Sequence, residues 1–238
     1  MQGDATGRKG HMRRIDDDLW VVERPLRFFG GVELGTRMTV ARLADRSLFL
    51  HSPVALDAAL RRALGDLGDV RHVVAPNRFH HLFAGDYREA FPGARLHAAP
   101  GLPEKRPDLR FDAVLANDTP APWHGEIDQE CVAGLPLLGE VAFCHRASRT
   151  LLVSDLAFHI GPEAPWLTRQ CFRLIRAYGR FGPTVVEKLI LRDRAAAQDS
   201  LERILAWDFD RVVVGHGAIL ERGGREALRR GYAWLLQR

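Results

Sequence analysis

Twice along this 238-residue chain, hairpins of strand-like segments give way to strands that alternate with helices. Residues 19–22 form a short apolar strand just after three consecutive acids. Residues 36–43 alternate, with Met38, Val40 and Leu43 among polar neighbours, as a half-buried strand does. A turn at Asp45-Arg46-Ser47 leads into residues 48–50 and closes a hairpin. Leu56, Leu60, Leu64 and Leu67 then recur at helical spacing, and Gly65 and Gly68 mark the end of that helix. Strands follow at 70–75, stopped by Pro76, and at 94–98, stopped by Pro100, with a short helix at 82–91 between them. After a Pro-rich stretch, 101–129, the cycle restarts. Strands at 140–144 and 150–154 are joined by a turn, helices follow at 165–178, 183–191 and 195–207, and a strand at 209–214 precedes a closing helix at 224–236. Such an order buries its apolar faces best as two sheets packed face to face with helices outside. No repeat or low-complexity linker divides the chain, and its length suits one domain.

Composition narrows what such a domain does. No apolar run approaches the roughly 20 residues that span a bilayer, so no membrane role is expected. The net charge of +4 comes mostly from arginines scattered among acids, with no basic cluster interleaved with aromatics; nucleic acid is not an expected partner. Cys131, Cys144 and Cys171 form no CxxC and sit in apolar stretches, as reduced thiols of a cytoplasmic protein do. Residues 1–12, polar and Gly-rich, lack a signal-peptide core. They read as a disordered extension or cloning remnant ahead of a single domain, 13–238.

Three strands end in side chains able to hold a metal. Residues 70–75 lead into Asn77-Arg78-Phe79-His80-His81, residues 150–154 into Asp155, and residues 209–214 into Gly215-His216. Strand-end loops carry function because the sheet fixes them while their side chains stay accessible. Imidazole and carboxylate donors together suit zinc, iron or manganese. Asp155 equally fits a helix or turn cap, and His216 a hydrogen-bonded loop histidine. Glu140 opens the strand that leaves this edge, as a base or substitute ligand. His145 belongs at the far turn, roughly 15 Å away at about 3.3 Å per strand residue. His51 and Ser52, at the end of the early hairpin, and His159, just beyond Asp155, fall on the same side and are pocket candidates.

Segments 18–22, 36–40, 50–54, 75–82, 140–145, 149–155 and 214–217, together and in this order, resemble the metallo-β-lactamase superfamily, specifically its uncharacterised DUF4336 branch. The resemblance implies an α+β fold, an αββα sandwich of two mixed sheets face to face with helices outside. It also implies a metal-binding edge. Superfamily members carry a His-x-His-x-Asp-His loop; here Pro76 and Arg78 stand where the first two histidines belong, His80 replaces the aspartate and His81 matches the last histidine. A further family histidine falls near Pro136 and is missing. Asp155 matches an aspartate that often bridges two metals, and His216 the final histidine. The resemblance thus implies one half-site lost and one retained in His80, His81, Asp155 and His216. It would hold one divalent transition metal, zinc first and iron or manganese next, or none.

Two functions follow. The first is a mononuclear metal-dependent hydrolase of an ester, lactone, thioester or phosphoester. In it Asp155 and Glu140 are catalytic, while Arg78, Asn77, His51, Ser52 and His159 contact substrate. Arg78, a permanent cation, would hold a carboxylate or phosphate, replace the missing ion's charge, or pair with Asp86. The second is a non-catalytic module that keeps the scaffold and binds a small ligand or a protein. The apolar helices over 165–180, with Trp166, Phe172 and Tyr178, would then cover a cleft, cover the core or form a homodimer interface.

Overall fold

The computed structural model describes residues 11–27, 29–118 and 120–237. Most of the segment read as an extension lies outside the described residues, but Met12 already opens the first strand. The elements run β1 (Met12–Asp16), β2 (Leu19–Arg27), β3 (Glu33–Arg42), β4 (Ser47–His51), α1 (Ala58–Leu67), β5 (Asp69–Ala75), α2 (Ala84–Ala90), β6 (Arg95–Ala98), α3 (Leu102–Lys105) and β7 (Ala113–Val114). The second cycle runs β8 (Ile127–Cys131), β9 (Val141–His145), β10 (Thr150–Leu152), β11 (Phe158–His159), α4 (Trp166–Leu174), β12 (Phe181–Gly182), α5 (Val185–Ile190), α6 (Arg194–Ala206), β13 (Arg211–Val213), α7 (Gly224–Gly231) and α8 (Ala233–Leu236).

The first cycle makes a seven-stranded sheet in sequence order, β1 to β7. Its early strands pair antiparallel, and β4 to β7 pair parallel, as the intervening helices require. The second cycle makes a sheet of order β13-β10-β9-β8, in which β13 runs parallel to β10. Both sheets are therefore mixed.

Strand alternation divides the core into layers. Leu19, Val21, Phe49 and Val74 of the large sheet meet Ile127, Val141, Phe143 and Leu152 of the small one. Val22, Met38, Val40 and Val73 point the other way, onto Leu60 and Leu64 of α1 and Ala84 and Tyr87 of α2. On the opposite outer face Leu151, Val153 and Val212 pack against α6 and α7 through Ala197, Leu201 and Leu228. The result is the expected four-layer αββα sandwich. Asp57 caps α1 by accepting from Leu60 N, which starts that helix two residues later than its leucine periodicity. The long helix read at 165–178 stops at Leu174, because Arg176 takes a left-handed conformation (φ 55°).

Two histidines sit inside this core. His97 packs edge-on to Trp123 with ring centroids 4.9 Å apart, and His51 packs edge-on to Phe143 at 5.5 Å. Each is only 2% exposed. Burial, with smaller contributions from His72 and Arg95, pushes the His97 imidazole down to about 3; burial and then His80 do the same to His51. Both are neutral when folded but take up a proton once unfolded below pH 6.5. The stability they confer is therefore full above that pH and lost as pH falls toward 3, at about 1.4 kcal/mol per pH unit for each histidine. The urea midpoint should fall steadily from pH 7 to pH 5, with a shallower slope in His97→Gln. A midpoint that does not move over that range contradicts this account.

Candidate metal centre

The edge where β5, β10 and β13 end brings three side chains to one point. His80 Nε2 and His216 Nε2 lie 3.1 Å apart, and each is 3.4 Å from Asp155 Oδ1. A metal ion about 2.0–2.1 Å from tetrahedrally arranged donors holds them roughly 3.3 Å apart. The three atoms thus have the spacing of one face of a ligand tetrahedron, and the described residues hold no other such cluster of His, Cys, Asp or Glu. His80 and His216 are buried and Asp155 half-buried. Burial alone would raise the Asp155 carboxyl, yet the charge of His80 and the hydrogen bonds of both imidazoles hold it far below its ordinary value. Burial likewise opposes a proton on His80, but Asp155, followed by Glu140, draws its imidazole upward. A half-buried anion facing two ring nitrogens is an electrostatic seat for a cation.

Each donor is fixed from behind. His216 Nδ1 lies 2.6 Å from the carbonyl of Gly35, which can only accept, so Nδ1 carries a proton and Nε2 is the nitrogen that faces the cluster. Arg37, buried under the loop, donates to the carbonyls of Val214 and Gly217, both at 2.5 Å. At Gly215 a Cβ would meet His80 Cε1 at 2.8 Å, and at Gly217 (φ 88°) it would strike the His159 carbonyl at 2.1 Å. The glycines flanking His216 are therefore required by close approach. Ser52, itself left-handed (φ 59°), sets its Oγ 2.7 Å from His80 Nδ1.

Asn77 organises the remainder. Its amide nitrogen donates to Asp155 Oδ2 and to Glu140 Oε2, both at 2.7 Å, while its oxygen accepts from Phe79 N and His80 N at 2.8 and 2.7 Å. All four hydrogen-bonding positions of the amide are used. Glu140 accepts from the backbone of Ser154 at 2.5 Å and of Asp155 at 3.3 Å, and is 1% exposed. Burial, and after it the Asp155 charge, push its carboxyl well above the usual carboxylate range.

Several sequence-based assignments change here. His81 does not join the cluster, because adjacent side chains diverge: the Arg106 guanidinium donates to its Nδ1 at 2.9 Å. A guanidinium has no lone pair, so His81 is neutral with its proton on Nε2, and burial with Lys105 and Arg106 pushes it down to about 4. Glu140, Asn77 and Ser52 stand behind the donor atoms as positioning residues, not in the cleft. His51 is enclosed between the sheets. His159 holds the His216 loop through its backbone and bonds the Ala218 carbonyl through Nδ1 at 3.1 Å. Arg78 does line the cleft; it donates to the Pro136 carbonyl at 3.1 Å and makes no ion pair with Asp86. His145 sits at the far turn, bonded to Ser148 at 2.7 Å.

A cleft of about 730 Å³ opens onto His80, Asp155 and His216. Its walls are mainly apolar, from Leu34, Phe158, Phe172 and Ile175 on one side to Phe79 and Leu137 on the other. Glu187 also lines it. This residue, 5% exposed, accepts from Thr184 Oγ1 at 2.6 Å and has no cation paired with it among the described residues. Burial raises its carboxyl. Sequence reasoning passed over Glu187 because it sits in an amphipathic helix where a glutamate ordinarily faces solvent; only the fold of α5 over the cleft reveals it.

The family profile described as "Domain of unknown function (DUF4336)" matches residues 16–178. That is more than half of the chain, which therefore belongs to the DUF4336 family. No curated protein matches it in sequence. In structure it is similar to DIM-1 metallo-β-lactamase exposed to ceftazidime, with a TM-score of 0.66 and 12% identity over 94% of this chain and 96% of that one. It is also similar to a metallo-β-lactamase from Pontibacter korlensis, with a TM-score of 0.64 and 12% identity over 96% and 99% of the two chains. A third relative is FIM-1 from Pseudomonas aeruginosa in its mono-zinc form, with a TM-score of 0.58 and 10% identity over 96% and 95%. The chain has the metallo-β-lactamase fold.

Proposed function

We propose that this DUF4336 protein is a mononuclear metal-dependent hydrolase, with zinc the first candidate ion and iron or manganese next. The observation that carries this reading is the 3.1–3.4 Å spacing of His80 Nε2, His216 Nε2 and Asp155 Oδ1. Three protein donors and an open cleft match the arrangement of catalytic rather than structural zinc, which keeps one position for water or substrate. FIM-1, of the same fold, has a mono-zinc form. When bound, such an ion acts as a Lewis acid and brings the pKa of a water ligand to about 7.

The chain's own residues supply the rest. Asn77 and Glu140 tie down Asp155 so that Oδ1 stays turned toward the imidazoles. Gly35 and Ser52 set the ring orientations. Glu187 offers the cleft a carboxyl able to take a proton from a reacting group and return it to a leaving one. The apolar walls exclude bulk water from the reacting bond. Substrate would be an ester, lactone, thioester or phosphoester.

The test is elemental analysis of protein purified without chelator, coupled to a hydrolysis panel of those four classes. About one equivalent of transition metal and turnover of at least one class, lost on chelation and restored by zinc, is expected. Less than about a tenth of an equivalent, with no turnover after zinc, iron or manganese is added, would overturn the reading and leave a ligand-binding role for the cleft.

A further inference from the structure

The cleft has two unlike sides, and the donor atoms lie between them. On one side the His216 ring stacks on Phe158 at 5.7 Å and 7°. Phe158 in turn packs on Phe172, with Leu34 and Ile175 against the pair, and none of these side chains has a hydrogen-bonding group to offer. On the other side, two residues before His80, stands Arg78. Lys105 donates to the Arg78 carbonyl at 2.5 Å and holds its ammonium 4.5 Å above the Phe79 ring. Arg106 is the third cation of the group. Only Arg106 has an acid, Asp108; among the described residues no carboxylate pairs with Arg78 or Lys105. The Arg78 Nε is buried and without a hydrogen-bond partner.

Like charges gathered without a neutralising acid repel one another, and the arrangement is relieved by an anion that both can reach. Arg78 brings a permanent guanidinium charge suited to carboxylate or phosphate oxygens, and Lys105 a compact charge beside it. The rim around them is apolar and accessible: Phe79 is 51% exposed, Leu82 53% and Leu137 49%. Exposed apolar side chains around a concave site mark ligand contact more often than chance.

We infer that the cleft takes an amphipathic anion, with an apolar body along Phe158, Phe172, Leu34 and Ile175 and a carboxylate or phosphate held by Arg78 and Lys105. Resting on the hydrolase reading above, this makes the substrate an apolar acyl or alkyl ester with an anionic end, its reacting bond placed over His80, Asp155 and His216. The two anions share one chemistry, and the test separates them.

Calorimetric titration with decanoate, decyl phosphate, decanol and decyltrimethylammonium, on wild-type protein stripped of metal by chelator, isolates the cleft from any direct metal contact. At least one of the two anions should bind about tenfold or more tightly than decanol, since hydrogen bonds to charged groups are worth that much, and the ammonium should bind least. The tighter anion identifies the headgroup. Arg78→Gln/Lys105→Gln should remove the preference and leave decanol binding unchanged. Lys105→Gln alone, at an exposed position, gives the same direction of change should the double variant not fold. Decanol binding as tightly as both anions, butanoate binding as tightly as decanoate, or an unaltered preference in the variants would overturn the inference. Anion binding without hydrolysis of any loaded substrate would sink only the hydrolase reading.

Discussion

Purified His216→Ala protein is expected to remain folded and to carry less than about a tenth of an equivalent of transition metal. His216 supplies one of three donor atoms, and among the described residues no third imidazole joins the cluster to replace it, because His81 is turned to Arg106. Losing a residue that merely orients a ligand already weakens metal sites 10–100-fold. Removing the donor itself should exceed that, leaving His80 and Asp155 as a two-point site. The variant should also lose the rise in melting temperature that excess zinc gives the wild type, a rise set by how far the ion concentration exceeds its dissociation constant. His81→Ala is the matched control. It lies next to His80 but outside the cluster and should keep the metal. Full metal content in His216→Ala, or its loss in His81→Ala, would contradict the assignment of the centre.

That contrast also marks how far the sequence can be read. Strand order, the face-to-face sheets and the three strand ends carrying His80, Asp155 and His216 were legible because alternation and strand-stopping residues depend on local sequence. The face-to-face layers follow from the order of strands and helices, and the αββα sandwich from the family resemblance. What was not legible depends on where a loop turns. On paper the resemblance points to His81, which matches the last family histidine, ahead of His80, which replaces an aspartate; the bend that Asn77 imposes by accepting from Phe79 N and His80 N instead sends His80 into the cluster and His81 toward α3. Glu140, at the start of a strand, is placed at the right edge by the sequence but faces inward, behind Asp155. From the sequence Ser52 and Asn77 look like substrate contacts, because the residues at strand ends resemble one another chemically, whether they point to a cleft or to a ligand's far side. Glu187 was missed for the converse reason. Its helix is amphipathic, and no local signal says that the cleft rather than solvent covers its polar face.

Asn77→Leu keeps the side-chain volume and removes every hydrogen bond that the amide makes. Asp155 Oδ2 and Glu140 Oε2 would then face each other without the shared donor, and the amides of Phe79 and His80 would lose their acceptor. Buried groups left unsatisfied cost about 1–3 kcal/mol each, less whatever relaxation recovers, so a loss of roughly 3–5 kcal/mol in urea unfolding is expected. Metal affinity should fall about 10–100-fold along with it. Asn77→Asp separates the two jobs of the residue. It keeps the oxygen that turns the loop but places a third carboxylate against Asp155 and Glu140, so the deficit comes from like charge. Folded-state carboxyls crowded in this way bind protons more readily than unfolded ones. Stability relative to the wild type should then recover as pH falls from 7 toward 5, the reverse of the wild type's own decline driven by His97 and His51. Asn77→Asp protein as stable as wild type at pH 7, with equal metal affinity, would show that the donated hydrogen bonds are dispensable and that Asn77 serves the loop alone.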